Sequence, residues 1–426
     1  MIIGIDDTDS PYGGCTTYLL TRIIEESGLD LIGFPRLVRL NPNVAYCTRG
    51  NAALSATLGH GRGKPSVIGR LGSADLESYP EGEDSGDMLK LMSLAEEMVM
   101  AYREDDPNTN PGIVVTRERL PGSLYRKAVS SFVSREEVEE ILRQYSAAYT
   151  VMGNGRGLIG ASAAVSWPEE RCTYELISYS HPYAEIDRAV KTKISISVEE
   201  TGFTFDSYDA ESGRSCMFPA SRTPVVFGIR GRSWRDLLDL KRKRIDPERL
   251  TEERFVVFRT NQATDDHIIG DPENILEGHS YAISGFITSD PWVIPGGHYF
   301  AWMEGRPGRV KLAAFEPTKG FRNTFRNLRP GDFVTAYGSF NSGSLHLEKL
   351  EIISTSVLYR RQNPLCSRCR VRAENRGRSF FKCPSCGTRY DLPEYVRIGR
   401  NVDPGRYDVP SGSRRHLTKP FYLSRD

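Results

Sequence analysis

Three aspartates within four positions, Asp6, Asp7 and Asp9, open the stretch GIDDTDSPYGGCTTYLL at residues 4–20, followed by a Gly-Gly turn and two threonines. Like charges this close repel. Either solvent screens them on a loop that caps the next helix, or a cation sits among them, and the setting favours the cation. MIIGID has the pattern of a short buried strand, and CTTYLLTRIIEES that of a helix with Leu19, Leu20, Ile23 and Ile24 turned inward. Acidic groups at the end of a strand, followed by a Gly-rich turn into a helix start, can hold a divalent ion beside a phosphate.

A second constellation lies near the other end. Cys366 and Cys369 form C-S-R-C, Cys383 and Cys386 form C-P-S-C, and 13 residues separate the two pairs. Two knuckles at this separation read as a tetrahedral four-cysteine zinc site, which replaces the core that a segment of ~30 residues cannot build. Redox chemistry needs only one such pair. Cys15, Cys47, Cys172 and Cys216 are scattered, with no spacing that implies a disulfide framework.

Weaker phosphate signals join glycine to base. TRGN offers Arg49 and Asn51, and GHGRGKPSVIGR offers Arg62 and Lys64. A turn after a strand looks much the same, and neither a P-loop nor a protein-kinase loop set is present. A nucleotide bound here needs a less familiar cradle.

The elements that must position these groups fall into four parts. The 426 residues, 39% hydrophobic and 26% charged, suit about three domains or more if some are small. No apolar run of ~18 residues and no secretory signal stands out, so the expectation is a cytoplasmic protein without a membrane span. Residues 1–148 alternate strand-like and helix-like segments, with helices expected from Asp87 to Arg103 and near 123–132 and 135–145. Residues 149–268 open on the Gly-rich GNGRGLIGASAAV. They continue with strands at TYELISYS, ISISV, GFTFDSYD, PVVFGIRG and RFVVFRT and a helix near 184–192, a pattern that suits a ferredoxin-like sandwich. Residues 269–358 hold five short strands between Gly, Pro and Asn turns, as in a small OB-type barrel. Aromatic and basic side chains interleave there: Trp292, Tyr299, Phe300, Trp302, Phe321, Arg322, Phe325 and Arg326. Such a surface suits stacking on single-stranded nucleic acid, although many of these rings belong to a barrel core. Residues 359–426 hold the ribbon and a tail, SGSRRHLTKPFYLSRD.

Charge divides the chain at the same place. From Tyr359 onward there are 16 Lys/Arg against 6 Asp/Glu, a net of +10, and the preceding residues carry a net of −9. A basic end on an acidic body can grip a polyanion.

GIDDTDS…GGCTTYL, RLVRLNPNVAYCTRGNAA, NTNPGIVV, GNGRGLIGASAA and VFRTNQATDDHI together strongly resemble the archaeal tRNA(Ile) 2-agmatinylcytidine synthetase family, over essentially the whole chain. The resemblance implies a multidomain α+β protein: an ATP-binding kinase-like catalytic domain over 1–148, a ferredoxin-like domain over 149–268, an OB fold over 269–358 and a zinc ribbon with a basic tail over 359–426. It implies an enzyme that joins agmatine to the wobble cytidine of a tRNA(Ile) with a CAU anticodon at the expense of ATP, so that AUA is read instead of AUG. The carbonyl oxygen at C2 of cytosine is a very poor leaving group. Phosphorylation lets it depart as phosphate when the amine attacks. That step calls for Mg2+, with Asp6, Asp7 and Asp9 as its ligands. In the family the first paired threonine, here Thr16, is associated with autophosphorylation, and AMP is released rather than ADP. Thr16 or Thr17 as a plain helix cap is the bland alternative.

Agmatine needs carboxylate for its guanidinium and an apolar wall for its stem. Asp206, Asp209, Val225, Val226 and Phe227 are the candidates by composition. For tRNA phosphates the candidates are Arg322 and Arg326 on the barrel and Arg414, Arg415, His416 and Lys419 in the tail, unless the tail packs as a helix on the acidic body. Two other classes compete: a non-catalytic nucleic-acid binder, which has no use for the aspartates, and a small-molecule kinase, whose product would not depend on tRNA.

Overall fold

The computed structural model describes residues 1–426 except 11, 46–49, 105, 182, 184, 220–222, 378–379 and 425–426. Its first element, β1 (Ile2–Asp6), separates two helical layers. Ile3 and Ile5 share a core with Leu19, Leu20, Ile23 and Ile24 of α1 (Thr16–Glu26). Each such side chain contributes about 1.5–3 kcal/mol when fully buried. The strands β2 (Asp30–Arg39), β3 (Ala52–Arg62), β4 (Ser66–Leu71), β5 (Ala74–Tyr79) and β6 (Glu81–Glu83) follow, then α2 (Met88–Tyr102), capped by Asp87. β7 (Gly112–Thr116), α3 (Gly122–Ser130), α4 (Arg135–Gln144), β8 (Ala148–Val151) and α5 (Arg156–Ser166) complete this half. Ile2 faces the opposite core, shared with Leu124, Val138, Leu158, Ala161 and Val165 of α3, α4 and α5.

The Gly-rich α5 lies directly on β1. A Cβ at Gly4 would stand 2.4 Å from the Ala161 carbonyl oxygen, and one at Gly160 only 1.8 Å from Asp6 Oδ2. The glycines of GNGRGLIGASAA thus let a helix reach the strand that carries the aspartates.

The second half supplies β9 (Thr173–Tyr179), α6 (Arg188–Glu199), β10 (Thr204–Phe205), β11 (Tyr208–Asp209), β12 (Arg214–Ser215), β13 (Val225–Gly231), α7 (Trp234–Leu240) and β14 (Arg254–Thr260). Two expectations fail here. ISISV is helical, not a strand: Asp187 caps α6, and Ile194, Ser195 and Val198 form its buried face, so the Ile-Ser alternation only mimics a period of two. GFTFDSYD is no continuous strand, because Asp206, at φ +54°, breaks it between β10 and β11.

β14 joins the halves. It pairs antiparallel with β9 and β4 and parallel with β2, giving one 12-stranded sheet ordered β10-β13-β9-β14-β4-β5-β2-β3-β1-β7-β8, with β6 on β3. A division after residue 148 therefore cuts the chain but not the hydrogen-bonded sheet.

The third part contains β15 (Ile268–Gly270), β16 (His279–Ile287), β17 (Trp292–Ile294), β18 (His298–Gly305), β19 (Gly308–Ala314), α8 (Gly320–Phe325), β20 (Phe333–Asn341) and β21 (Ser344–Ser354). All five expected strands form. They close in the ring β16-β18-β19-β21-β20-β16, with β19 and β21 parallel. Phe321 and Phe325 fill its core, whereas Trp292, Phe300 and Trp302 stack along its outer face, Trp292 and Phe300 with centroids 6.0 Å apart.

β22 (Leu358–Gln362), β23 (Glu374–Asn375), β24 (Phe381–Lys382), β25 (Arg389–Tyr390) and β26 (Glu394–Ile398) frame the cysteines, and β27 (Gly405–Asp408) returns to pair with β21. The tail beyond is no α-helix but irregular chain with short 3-10 turns at Ser411–Ser413 and Phe421–Ser424. Among the described residues no helix is long and apolar enough to cross a membrane.

Candidate functional site

The aspartates sit where β1 ends. Asp7 takes a left-handed backbone (φ +57°), as does Gly14 (φ +75°), and between them the chain reverses so that Asp9 returns to the start of α1. Asp9 Oδ1 accepts hydrogen bonds from the Thr16 amide (2.5 Å) and the Thr16 hydroxyl (2.7 Å), while the Thr8 hydroxyl donates to Thr16 Oγ1 at 3.0 Å. Thr16 is therefore not a cap: Cys15 holds that position without a side-chain capping bond, and the Asp9 carboxylate satisfies the helix start. The hydroxyl of this buried threonine is aligned by a carboxylate acceptor.

Burial holds the Asp6 carboxyl well above the usual range, and Asp7 and Asp9 add to this. Asp7 is raised by burial too, against the opposing pull of the Asn110 amide, which donates to it at 3.2 Å, and of Arg156. The three do not form a ready chelate: among the described residues, only the four cysteines bring three or more candidate ligand atoms within 4.8 Å of one another. Asp9 is turned to Thr16 and Asp7 to Asn110. Magnesium is commonly bound by one or two carboxylates plus phosphate oxygens and water, so Asp6 and Asp7 still fit a hard cation, and their mutual repulsion is what one would offset. The cysteine tetrad is already closed. The Arg370 amide donates to Cys366 O (2.9 Å) and the Gly387 amide to Cys383 O (3.0 Å), two copies of one knuckle.

Two cavities meet at Thr16. The first, of about 240 Å³, is lined by Asp6, Asp7, Asp9, Thr16, Asn51 and Arg156, with Leu40, Phe132 and Ile159 as apolar wall. The second, of about 380 Å³, shares Asp9, Thr16 and Ala52 with it and runs between Leu54, Ile177, Phe218 and Val225 to Glu175, Arg39, Arg230 and His416. Arg39, Arg156, Glu175 and Arg230 line these cavities but are not among the sequence candidates for them. Arg39 and Arg156 lie inside the motifs that carry the family resemblance, but nothing local marks Glu175 or Arg230, which reach the site only because β9 and β13 join the shared sheet.

Other candidates fall elsewhere. Arg49 lies outside the described residues, and Asn51 lines the first cavity. Arg62 and Lys64 are not at this site. β1 and β3 pair antiparallel with Ile5 opposite Leu54, which puts Arg62 eight residues away, about 27 Å along the strand, where it pairs with Glu83. Asp206 and Arg414 form a buried ion pair with each other, so neither is the free ligand group expected of it. Asp209 is buried and takes hydrogen bonds from the Glu211 and Ser212 amides and the Ser212 hydroxyl. Phe227 is a buried residue of β13 and lines a separate hollow with Arg70 and Phe255, whereas Val225, Gly228 and Arg230 line the second cavity. Arg415 binds Asn43 (3.1 Å) and Glu348 (3.4 Å), and Lys419 is half-buried with its amide on Asp265. The tail thus packs on the acidic body. On the barrel, Arg322 donates to the Gly297 carbonyl and pairs with Glu316, whereas Arg326 is exposed.

Comparison with known proteins matches residues 2–153 to the TiaS TCKD domain and 155–267 to the TiaS FLD domain. The tRNA(Ile2) 2-agmatinylcytidine synthetase TiaS of Thermoplasma volcanium is 45% identical over 425 residues, 99% of this chain and 97% of that one. The solved TiaS-tRNA(Ile2)-ATP complex superposes with a TM-score of 0.84 at 36% identity, covering 100% of this chain and 97% of that one. The TiaS-tRNA(Ile2)-AMPCPP-agmatine complex gives 0.81 at 33% identity with the same coverage.

Proposed function

Since the chain belongs to the tRNA(Ile2) 2-agmatinylcytidine synthetase family, we infer that it is an ATP-dependent enzyme that transfers agmatine to tRNA(Ile2). The observation that carries the reading of the site is the threonine shared by two cavities. The first cavity takes ATP, with the purine against Leu40, Phe132 and Ile159 and the phosphates toward Asn51, Arg156 and the aspartates. The second takes agmatine, with its stem along Ile177, Phe218 and Val225 and its guanidinium toward Glu175. Asp6 and Asp7 would hold Mg2+, which neutralises triphosphate charge. Asp9 accepts the proton of the Thr16 hydroxyl, readying that oxygen to receive phosphate; the helix start behind it favours the added charge.

The wobble cytidine leaves its stack to reach the junction of the cavities. Once its O2 carries a phosphoryl group, the amine attacks C2 and phosphate departs with that oxygen. The closed five-strand ring is an OB fold, whose outer rings Trp292, Phe300 and Trp302, with Arg309 4.3 Å over Trp302, suit stacking on RNA. The second half, with two helices on its strands, is ferredoxin-like, and the cysteines hold structural zinc. Arg326 remains as a phosphate contact. The cytoplasm, where tRNA resides, is the expected location.

Mass spectrometry of tRNA(Ile2) bearing a CAU anticodon, incubated with ATP and agmatine, tests the function. The expected product carries the mass of agmatine less one water on the wobble nucleotide. ATP consumption without that product would point to the small-molecule kinase. Binding without ATP consumption would point to the non-catalytic binder.

A further inference from the structure

The C-terminal tail threads the seam between all three larger parts. Its Leu417 is buried among Val38, Leu40 and Ala53, and the His416 and Leu417 carbonyls accept the Ala263 and Asp265 amides at 2.8 and 2.9 Å. Thr418 and Arg415 bind Glu348 of the barrel, and Arg414 binds Asp206. This register aims His416 into the second cavity. Its ring lies over Gly50 (φ +76°). A Cβ there would stand 3.1 Å from the imidazole and 3.0 Å from Arg39 Nη1, which itself donates to Gly50 O at 3.2 Å. Gly50 leads directly into Asn51 and Ala52, and Ala52 lines both cavities.

From this packing we propose that His416 is a positioning residue of the reaction: it wedges Arg39 and the Gly50–Ala52 turn in place at the junction of the two cavities. The groups facing it are Arg39 from β2 and Arg230 from β13, with Glu175 of β9 between them: 3.0 Å from Arg230 Nε and 4.0 Å from Arg39 Nη2. Both arginines and burial keep the imidazole neutral, its pKa held well below the ordinary value, so it packs beside Arg39 without repelling it. Arg39 needs such support: it is 9% exposed and its Nε has no hydrogen-bond partner among the described residues. Of the basic side chains of the tail, His416, which carries no charge here, is thus the one that lines the second cavity.

The proposal rests on the second cavity as the agmatine pocket. Its test is a charge series at one position in the full chain: His416→Gln, His416→Ala and His416→Lys, each measured for tRNA affinity, melting temperature and agmatine KM and kcat. The expected order of loss is Gln least, Ala about 10-fold or more in kcat/KM, and Lys most, with tRNA affinity within about twofold of wild type throughout. A purely structural role would instead make the losses follow melting temperature, and an RNA anchor would make them follow tRNA affinity with Lys best tolerated. Either pattern, or wild-type kinetics in His416→Ala, overturns the proposal. Wild-type protein that yields no agmatinylated tRNA would overturn the functional reading instead.

Discussion

The aspartate loop and the cysteine ribbon each gather groups able to bind a cation, yet they are built on opposite plans. In the ribbon the backbone does the gathering. Two identical knuckle bonds bring four sulfurs within 4.8 Å, with Cys366 and Cys386 Sγ 3.6 Å apart, although little core surrounds them. In the loop the surrounding core is large, but each carboxylate is turned a different way, with Asp9 facing Thr16, Asp7 the Asn110 amide and Asp6 facing Gly160 of α5. On the roles proposed above, the structural metal site is complete before anything else binds, and the site for chemistry is left electrostatically unfinished, so that the substrate's phosphates complete it.

The largest effect that could break this contrast is at Thr16. Thr16→Ala leaves every carboxylate in place but removes the aligned oxygen, so phosphate label from γ-labelled ATP and agmatinylated tRNA should both fall to background. Thr16→Ser should retain part of each. Full modification by the alanine variant would reduce Thr16 to a partner of Asp9. Asp7→Asn comes next, with ATP consumption down by ~10² or more and tRNA affinity unchanged.

The sequence carried this site unevenly. Asp6, Asp7, Asp9, Thr16 and Asn51 were legible because one short segment and one neighbouring turn supply them. Arg62 and Lys64 misled because glycine with base marks many turns, and only the antiparallel register of β3 reveals which end of a strand they occupy. Arg414 looked like a phosphate ligand because its partner, Asp206, is 208 residues away. ISISV read as a strand because alternation over five residues fits a helix face as well. The barrel strands were legible since each is bounded by its own turns. What stayed hidden depends on contacts distant in sequence, above all the sheet shared by both halves.

The ribbon side of the contrast predicts a separable loss. Removing the metal proposed to sit among the cysteines with a chelator, or Cys383→Ser, should unfold the ribbon alone, since no hydrophobic core cluster among the described residues lies within it. Four basic residues between Arg368 and Arg376 would then lose their arrangement. tRNA binding should weaken, and the slope of log affinity against log salt should flatten by about 0.7–0.9 for each phosphate no longer neutralised. ATP binding in the first cavity should persist. If chelation abolishes ATP binding as well, the two sites are not built independently.

The smallest effect is the most diagnostic of an unfinished site, because it has the opposite sign to the loss of function. The Asp6 carboxyl titrates higher in the folded chain than when unfolded, through burial and then the charges of Asp7 and Asp9. Its ionised form therefore opposes folding. That cost is absent below the unfolded value, grows as pH rises between the unfolded and folded values, and is fully present above the folded one. Asp6→Asn keeps the shape that Gly160 accommodates but removes the charge. Without divalent metal it should melt higher than wild type at neutral pH, by about 2–4 °C for each kcal/mol relieved, and the gap should close as pH falls toward 4. Added Mg2+ should raise the wild type more than the variant, narrowing the gap from the other side, while ATP consumption by the variant stays low. A variant that melts lower than wild type at every pH in the absence of metal would mean that Asp6 supports the fold in its charged form. The aspartate loop would then be as self-sufficient as the ribbon.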